Sequence, residues 1–298
     1  QDLTDVGEGR APSSFISGQG GADTEDTFGK DKKRGTIGVF DSGMGGLTAV
    51  KVLNEIMPNE NIIYFGDTAR IPYGTRSRQT IQRYTKEDIA FLRRHPVKMI
   101  IAACGTVSSM LGADSPVDDM PFTGVVYPAA RAACQATQNG RIGIIGTQAT
   151  VTSGSYETAI HNIDPSKDVT AMACPLFVHL VEYGYTDRNN PITRLAAEEY
   201  LAPIRSAEVD TLILGCTHYP IIAETIADIM GENVKLISAS EEAAKYAKQC
   251  LEEQDLLTDR TQKGHNVYYV SDSVSMFREN ARHFLMDAVN GQVFSSRI

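Results

Sequence analysis

Two cysteines in matching contexts are the residues of this chain best suited to chemistry. Cys104 closes the segment 97–104, VKMIIAAC, and Cys216 closes the segment 209–216, VDTLILGC. Both segments are short, apolar and bounded by polar residues, which predicts two buried parallel strands. Open α/β sheets bind ligands at the carboxyl ends of such strands. Two thiols presented alike by two halves of a chain predict a near-symmetric site, which a mirror-symmetric reaction would need.

The residues that follow each cysteine support this interpretation. Thr106 and Thr217 can donate hydrogen bonds to a carboxylate. His218 can polarise Cys216 or carry a proton. A single cysteine is most often a small buried apolar residue, and we keep that interpretation for the other three, Cys134, Cys174 and Cys250.

A glycine-rich turn, Asp41-Ser42-Gly43-Met44-Gly45-Gly46, lies between a predicted strand and a predicted helix. Its glycines free the backbone to turn, and the following helix N-terminus offers N–H groups to an anion. The spacing is G-x-G-G rather than the dinucleotide pattern, and Asp41 stands where a phosphate would approach. The turn therefore favours a carboxylate or amine ligand. The alternative, that Asp41 and Ser42 only cap the helix, stays open.

Two further loops follow predicted strands. The first, 67–74, contains turn-forming Pro72 and Gly74 and by itself is most readily interpreted as a surface turn. The second, 146–153, begins with Gly146-Thr147 and is rich in hydroxyl groups that could bind a second carboxylate. A plain helix-capping role for the second loop is equally open.

The elements that must position these residues alternate between strand and helix. Such alternation predicts α/β architecture: two similar doubly wound parallel-sheet domains that face each other, with the active site between them. The predicted strands are 36–40, 61–65, 97–104, 121–126, 141–147, 168–174, 209–216, 234–237 and, as the last, 267–270; the predicted helices include 79–94, 192–207, 220–230 and 239–253.

Domain boundaries follow from the same pattern. We predict a first domain from 36–125 plus 237–298 and a second domain from 126–236. Residues 1–35 are rich in Gly, Ser, Asp and Thr without sustained periodicity, so they are predicted to form a disordered N-terminal extension.

The composition of the 298 residues excludes several classes of protein. A net charge of −9, no tryptophan and no basic cluster argue against nucleic-acid binding. No apolar run is long enough to span a membrane, and no signal peptide is recognisable. Five cysteines without a C-x-x-C pair imply no disulfide framework and no zinc site, so a reducing cytoplasm is expected.

A set of motifs spread from about residue 36 to 240 resembles the glutamate racemases, which belong to the cofactor-independent amino-acid racemase superfamily. The segments that carry the resemblance are 40–47 (FDSGMGGL), 66–70 (GDTAR), 72–74 (PYG), 104–106 (CGT), 145–147 (IGT) with Thr150, 174–178 (CPLFV), 180–182 (LVE) and 214–220 (LGCTHYP).

The resemblance implies a function and a site. Cys104 and Cys216 would be the two acid/base residues, Cys104 acting on D-glutamate and Cys216 on L-glutamate, with Asp41 assisting Cys104 and His218 assisting Cys216. It further implies no cofactor and no metal, supply of D-glutamate for peptidoglycan, and a homodimer. The implied substrate-binding residues are Asp41, Ser42, Pro72, Tyr73, Gly74, Gly105, Thr106, Thr147, Thr150, Glu182, Thr217 and His218.

Two positions depart from the family pattern. Gly105 stands where the family usually has Asn, and His179 stands where Pro is common. The first departure bears on substrate preference, so a racemase for aspartate or another acidic amino acid is an alternative. A cysteine hydrolase or lyase that uses Cys104 with His218 and Asp41 would leave Cys216 without a role. A non-catalytic amino-acid-binding homologue is the third alternative.

Overall fold

The computed structural model describes residues 32–111, 116–285, 289 and 291–296. The predicted extension 1–35 lies outside these residues except at its end, where Lys32–Arg34 form a short 3-10 helix. The strands are β1 (Thr36–Asp41), β2 (Ile62–Gly66), β3 (Val97–Ala102), β4 (Phe122–Thr123), β5 (Arg141–Gly146), β6 (Asp168–Ala173), β7 (Thr211–Leu214), β8 (Lys235–Ser238), β9 (Asn266–Val270) and β10 (Gly291–Ser295).

Helices connect most of these strands. They are α1 (Leu47–Ile56), α2 (Arg78–Leu92), α3 (Gly105–Leu111), α4 (Val126–Ala136), α5 (Gln148–Ser153), α6 (Ser155–Ile163), α7 (Pro175–Glu182), α8 (Pro191–Ser206), α9 (Ala223–Met230), α10 (Ala239–Glu253) and α11 (Val274–Leu285).

The strands form two sheets in which every pairing is parallel. One sheet has the order β10-β9-β2-β1-β3-β4 and the other β6-β5-β7-β8. We call the six-stranded sheet with the turns at its strand ends the first lobe, and the four-stranded sheet with its turns the second lobe. The predicted fold class, two parallel-sheet α/β domains, is confirmed.

Burial explains why the central strands read as continuous apolar runs. In β2, Ile62 and Tyr64 pack in a core shared with α1 and α11, whereas Ile63 and Phe65 pack in a second core with α2. Successive side chains point to opposite faces of a sheet, so a strand covered by helices on both faces must be apolar at every position. The first of these cores continues into the second lobe.

The structure differs from several sequence predictions. Both cysteine strands end two residues early, at Ala102 and Leu214, so each cysteine lies in the turn after its strand. The predicted strand 121–126 shrinks to β4 because the Val125 N–H donates to Ser108 Oγ and the chain enters α4. The predicted helix 220–230 begins as a 3-10 turn, Tyr219–Ile222.

The last predicted strand, 267–270, is also not the last strand. β10 follows it and pairs with β9 in parallel register. The strands group by lobe as residues 36–123 with 266–295, and 141–238. The exact domain boundaries at 125/126 and 236/237 stay a prediction.

Candidate active site

The turns that carry the two cysteines lie against each other where the lobes meet. A Cβ atom built on Gly105 would be 2.1 Å from the carbonyl oxygen of Gly215. Such a separation is less than any real contact, so only glycine fits position 105 without a backbone shift. Gly105 directly follows Cys104 and Gly215 directly precedes Cys216. The structure therefore brings the two predicted cysteine turns together.

The glycine-rich turn of the first lobe also contacts the Cys216 turn. A Cβ on Gly45 would lie 2.0 Å from Thr217 Oγ1 and 2.8 Å from His218 Nδ1. Because Gly45 has no side chain, Thr217 and His218 of the second lobe can lie against the glycine-rich turn of the first lobe.

Cys104 is buried, and its thiol donates to Ser42 Oγ at 3.4 Å. Burial, followed by the negative charge of Asp41, raises the pKa of Cys104 to about 12. Both effects disfavour the charged thiolate. Cys104 is consequently a thiol at neutral pH, ready to donate a proton.

Asp41 is also buried, and its two oxygens differ in their surroundings. Oδ2 accepts the Gly43 N–H at 3.0 Å, whereas Oδ1 is buried and has no hydrogen-bond partner among the described residues. Burial raises the pKa of Asp41, while the positive charge of His218 and nearby backbone N–H groups oppose the rise. An orphaned buried acceptor is costly, and a donor such as a ligand ammonium would satisfy it.

Cys216, His218 and Glu182 form a chain of hydrogen bonds. His218 Nδ1 lies 3.7 Å from Cys216 Sγ, and its Nε2 lies 3.1 Å from Glu182 Oε1. Burial lowers the pKa of His218, but the hydrogen bonds and charges of Cys216 and Glu182 outweigh it and raise the pKa to about 10. His218 is therefore an imidazolium that can donate one N–H to the sulfur and the other to the carboxylate.

Hydroxyl groups from both lobes form a row beside the cysteine turns. Thr106 Oγ1 and Thr147 Oγ1 are 3.0 Å apart, and Thr147 Oγ1 and Thr150 Oγ1 are also 3.0 Å apart. Thr147 additionally caps α5 by accepting the Thr150 N–H. The capping interpretation and the proposed ligand role are therefore compatible, because a hydroxyl can accept and donate at once.

The loop after β2 reaches the same row. Its Gly74 lies against Thr147, with a Cβ position 3.3 Å from Thr147 Cβ. The Ile71–Pro72 peptide bond that precedes this contact is cis. The Tyr73 hydroxyl, however, donates to Asp67 and to Asp88 Oδ2 within the first lobe. This leaves the backbone of residues 73–74, rather than the phenol, for a ligand.

Asp67 and Asp88 belong to a buried cluster that sequence reasoning missed. Arg70 pairs with both of them and with Glu87, and the Ser271 hydroxyl donates to Asp67. Asp88 lies on α2 among charged residues that resemble an ordinary solvated face, so the sequence carries no sign of its burial. The cluster fixes the loop that presents Gly74 to the second lobe.

Asp88→Asn is expected to flatten the dependence of stability on pH. Burial and then the charge of Asp67 raise the pKa of Asp88 from 3.8 to about 8. Between these values the folded chain holds a proton that the unfolded chain releases, so the free energy of unfolding falls as pH rises. Asn cannot titrate. Urea unfolding at about pH 5 and about pH 8 should show wild type losing more stability than the variant, and equal losses would contradict the assignment.

Asp41→Asn is expected to speed alkylation of Cys104. Removing the carboxylate removes one of the two causes that raise the pKa of Cys104, so more thiolate exists at a given pH. Mass spectrometry after iodoacetamide treatment measures the rate at each cysteine, with half-buried Cys250 as the internal reference. If the alkylation rate of Cys104, divided by that of Cys250, is the same in the variant and the wild type, the charge of Asp41 does not control the pKa of Cys104.

The geometry of the site is that of a protein suited to acid/base chemistry. Two parallel α/β lobes present two thiols at one junction, one beside a carboxylate and the other beside an imidazolium, which suits acid/base chemistry on a small polar ligand. In the part of the chain that the structure describes, no cluster of three His, Cys, Asp or Glu residues could hold a metal ion, and no helix has the length and apolar character needed to cross a membrane.

Comparisons with known proteins agree with this class. The family model described as Asp/Glu/Hydantoin racemase matches residues 43–247. A glutamate racemase from Geobacter metallireducens is 44% identical over 250 residues, which are 84% of this chain and 92% of that protein.

Solved structures agree as well. A glutamate racemase isoform from Bacillus anthracis matches with a TM-score of 0.83 and 35% identity, covering 89% of this chain and 98% of that one. A glutamate racemase from Francisella tularensis, solved in complex with D-glutamate, matches with a TM-score of 0.79 and 39% identity over the same shares. The chain belongs to the Asp/Glu/hydantoin racemase family, and it is an amino-acid racemase.

Proposed function

We propose that this racemase interconverts L- and D-glutamate without a cofactor, by proton transfer between the substrate α-carbon and two cysteines. The observation that carries the proposal is the junction of the Cys104 and Cys216 turns, which come from different lobes and meet through Gly105 and Gly215. A two-base racemisation needs one acid/base group on each face of the α-carbon. A pair of thiols contributed by facing lobes meets that requirement.

The polar groups of the site match an acidic amino acid. The unpartnered Asp41 Oδ1 accepts a hydrogen bond from the substrate ammonium. The hydroxyl groups of Ser42, Thr106, Thr147, Thr150 and Thr217 and the backbone N–H groups of Tyr73, Gly74 and Gly105 donate to the carboxylates, and Pro72, which has no N–H, positions the two residues that follow it. The complex of the Francisella tularensis relative with D-glutamate supports glutamate as the substrate.

The protonation states suit proton transfer from L- to D-glutamate. The His218 imidazolium, held by Glu182, contacts the sulfur of Cys216 and assists it in removing the α-proton of L-glutamate. Cys104, a thiol with its pKa raised to about 12, returns a proton to the opposite face. In the reverse direction Cys104 must first become the thiolate, and a bound ammonium beside Asp41 offsets the charge that opposes it.

The wider role follows from the family. The proposal includes supply of D-glutamate for peptidoglycan in a bacterial cytoplasm and assembly as a homodimer, which size-exclusion chromatography with light scattering measures directly. The alternative substrate, aspartate, is kept because Gly105 departs from the usual family residue.

Incubation with L-glutamate in D2O, with no added cofactor, tests the proposal. We expect D-glutamate that carries deuterium at Cα, because the returning proton comes from a solvent-exchanged thiol. Parallel reactions with L-aspartate and L-glutamine separate the acidic-amino-acid alternatives and amide hydrolysis from glutamate racemisation. Three results would contradict the proposal. Conversion of aspartate alone would indicate an aspartate racemase, release of ammonia from glutamine a hydrolase, and binding of glutamate without hydrogen exchange a non-catalytic homologue.

A further inference from the structure

We propose that the hydroxyl of Tyr156 is a further substrate contact, donating a hydrogen bond to the α-carboxylate during racemisation. This inference rests on the proposed function and adds a residue that sequence reasoning did not select. It is carried by the place of the Tyr156 ring beside the Cys216 turn and by its buried hydroxyl, which has no hydrogen-bond partner among the described residues.

The ring of Tyr156 lies against the Cys216 turn. A Cβ built on Gly215 would be 3.1 Å from Tyr156 Cε2 and 3.4 Å from Cζ, the carbon that bears the hydroxyl. The hydroxyl end of the ring is therefore the end next to Gly215. The same Gly215 receives Gly105 through its carbonyl oxygen, and α6, which carries Tyr156, packs against α3, which begins at Gly105. Tyr156 thus reaches the junction of the two turns.

The hydroxyl is buried without a partner. Tyr156 is 2% exposed, and its oxygen forms no hydrogen bond within the described part of the chain. The buried Tyr219 offers a contrast, because its hydroxyl donates to the carbonyl oxygens of Gly146 at 2.9 Å and Cys174 at 2.8 Å. A buried polar group left unsatisfied costs free energy and in a native protein calls for an explanation. A ligand acceptor at the junction provides one.

The charges around the hydroxyl identify the acceptor. Burial is the main cause that raises the pKa of the Tyr156 phenol well above its usual value, so the phenol stays protonated and acts as a donor. The hydroxyl end of the ring lies beside Gly215, next to Cys216 and therefore near the α-carbon on which the two cysteines act in the proposed mechanism. The substituents there are an ammonium, which only donates, and the α-carboxylate, which accepts. Removal of the α-proton adds negative charge to that carboxylate, so the hydrogen bond strengthens in the transition state.

Tyr156→Phe removes the hydroxyl alone and is the variant that tests the inference. We expect kcat/KM for glutamate to fall about 10- to 100-fold, mostly through kcat, since the bond is stronger in the transition state. The urea midpoint should stay at the wild-type value or rise, because the hydroxyl loses no hydrogen bond to any residue that the structure describes. Tyr219→Phe is the matched control. It leaves two carbonyl oxygens without their donor and is expected to lower the urea midpoint.

The outcomes separate this inference from the proposed function. If wild type racemises glutamate and Tyr156→Phe keeps its kcat and KM, the inference is wrong and the proposed function stands. A Tyr156→Phe variant that loses activity only in parallel with its urea midpoint, as a structural tyrosine would, also overturns it. Wild-type protein inactive on glutamate would remove the proposed function and this inference together.

Discussion

Cys104→Ala and Cys216→Ala are each expected to abolish racemisation of glutamate. One thiolate removes the α-proton and the other thiol delivers a proton to the opposite face, so loss of either group interrupts the sequence in both directions. General acid/base groups typically contribute about 10²- to 10⁴-fold, and both cysteines are buried, so alanine at either position leaves that face of the substrate without its acid/base group. A chiral assay of D-glutamate formed from L-glutamate measures the loss. Cys250→Ala, on the outer part of α10, is the control and should keep near-normal activity.

Hydrogen exchange assigns each cysteine to a face of the substrate. The two enantiomers have equal free energy, so kcat/KM must be the same in both directions for any variant, and steady-state rates cannot make the assignment. In D2O, Cys104→Ala is expected to exchange the α-proton of L-glutamate only, and Cys216→Ala that of D-glutamate only. Exchange of the opposite enantiomers would reverse the assignment. Near-normal racemisation by either variant would exclude the two-base mechanism.

The framework of the fold could be predicted because its central strands are buried on both faces. The segments 97–104 and 209–216 are apolar apart from Lys98, Asp210 and Thr211 near their starts, and such an apolar run is visible in the sequence. β10 could not be predicted in the same way. It contains Gly291, Gln292 and Ser295, and what makes it a strand is its pairing with β9, a tertiary contact.

Which site residues contact one another was less predictable from the sequence than which residues belong to the site. Polar residues at strand ends are easily recognised, but a sequence does not say that Thr106 meets Thr147 across the junction. The Tyr73 hydroxyl illustrates the same limit, because its partner Asp88 lies on a helix with an ordinary charged pattern. Buried carboxylates are found only when the packing around them is known.

Gly105→Ala is expected to disable the enzyme while leaving it folded. The added Cβ would lie 2.1 Å from the Gly215 carbonyl oxygen, a backbone atom that cannot rotate away as a side chain would. The Cys104 and Cys216 turns must therefore move apart. Displacement of reacting groups by about 1 Å can cost about 10²-fold in rate, so we expect kcat/KM for glutamate to fall by about that factor. Racemisation kinetics, with circular dichroism and urea unfolding as checks of the fold, measure the effect.

Gly124→Ala provides the matched control for this substitution. A Cβ at Gly124 would meet Ser108 Oγ at 2.8 Å and Ser108 Cβ at 3.0 Å, a steric conflict away from the contact between Gly105 and Gly215, so the urea midpoint should fall while activity changes little. The same geometry bears on the family residue at position 105. An Asn side chain begins with the same Cβ as Ala, so Gly105→Asn, which would restore the residue expected from the family resemblance, is also expected to impair this chain. Full activity of Gly105→Ala would mean that the two turns need not touch for catalysis. If Gly105→Ala is impaired and Gly105→Asn is active, an amide contact with the substrate outweighs the steric conflict.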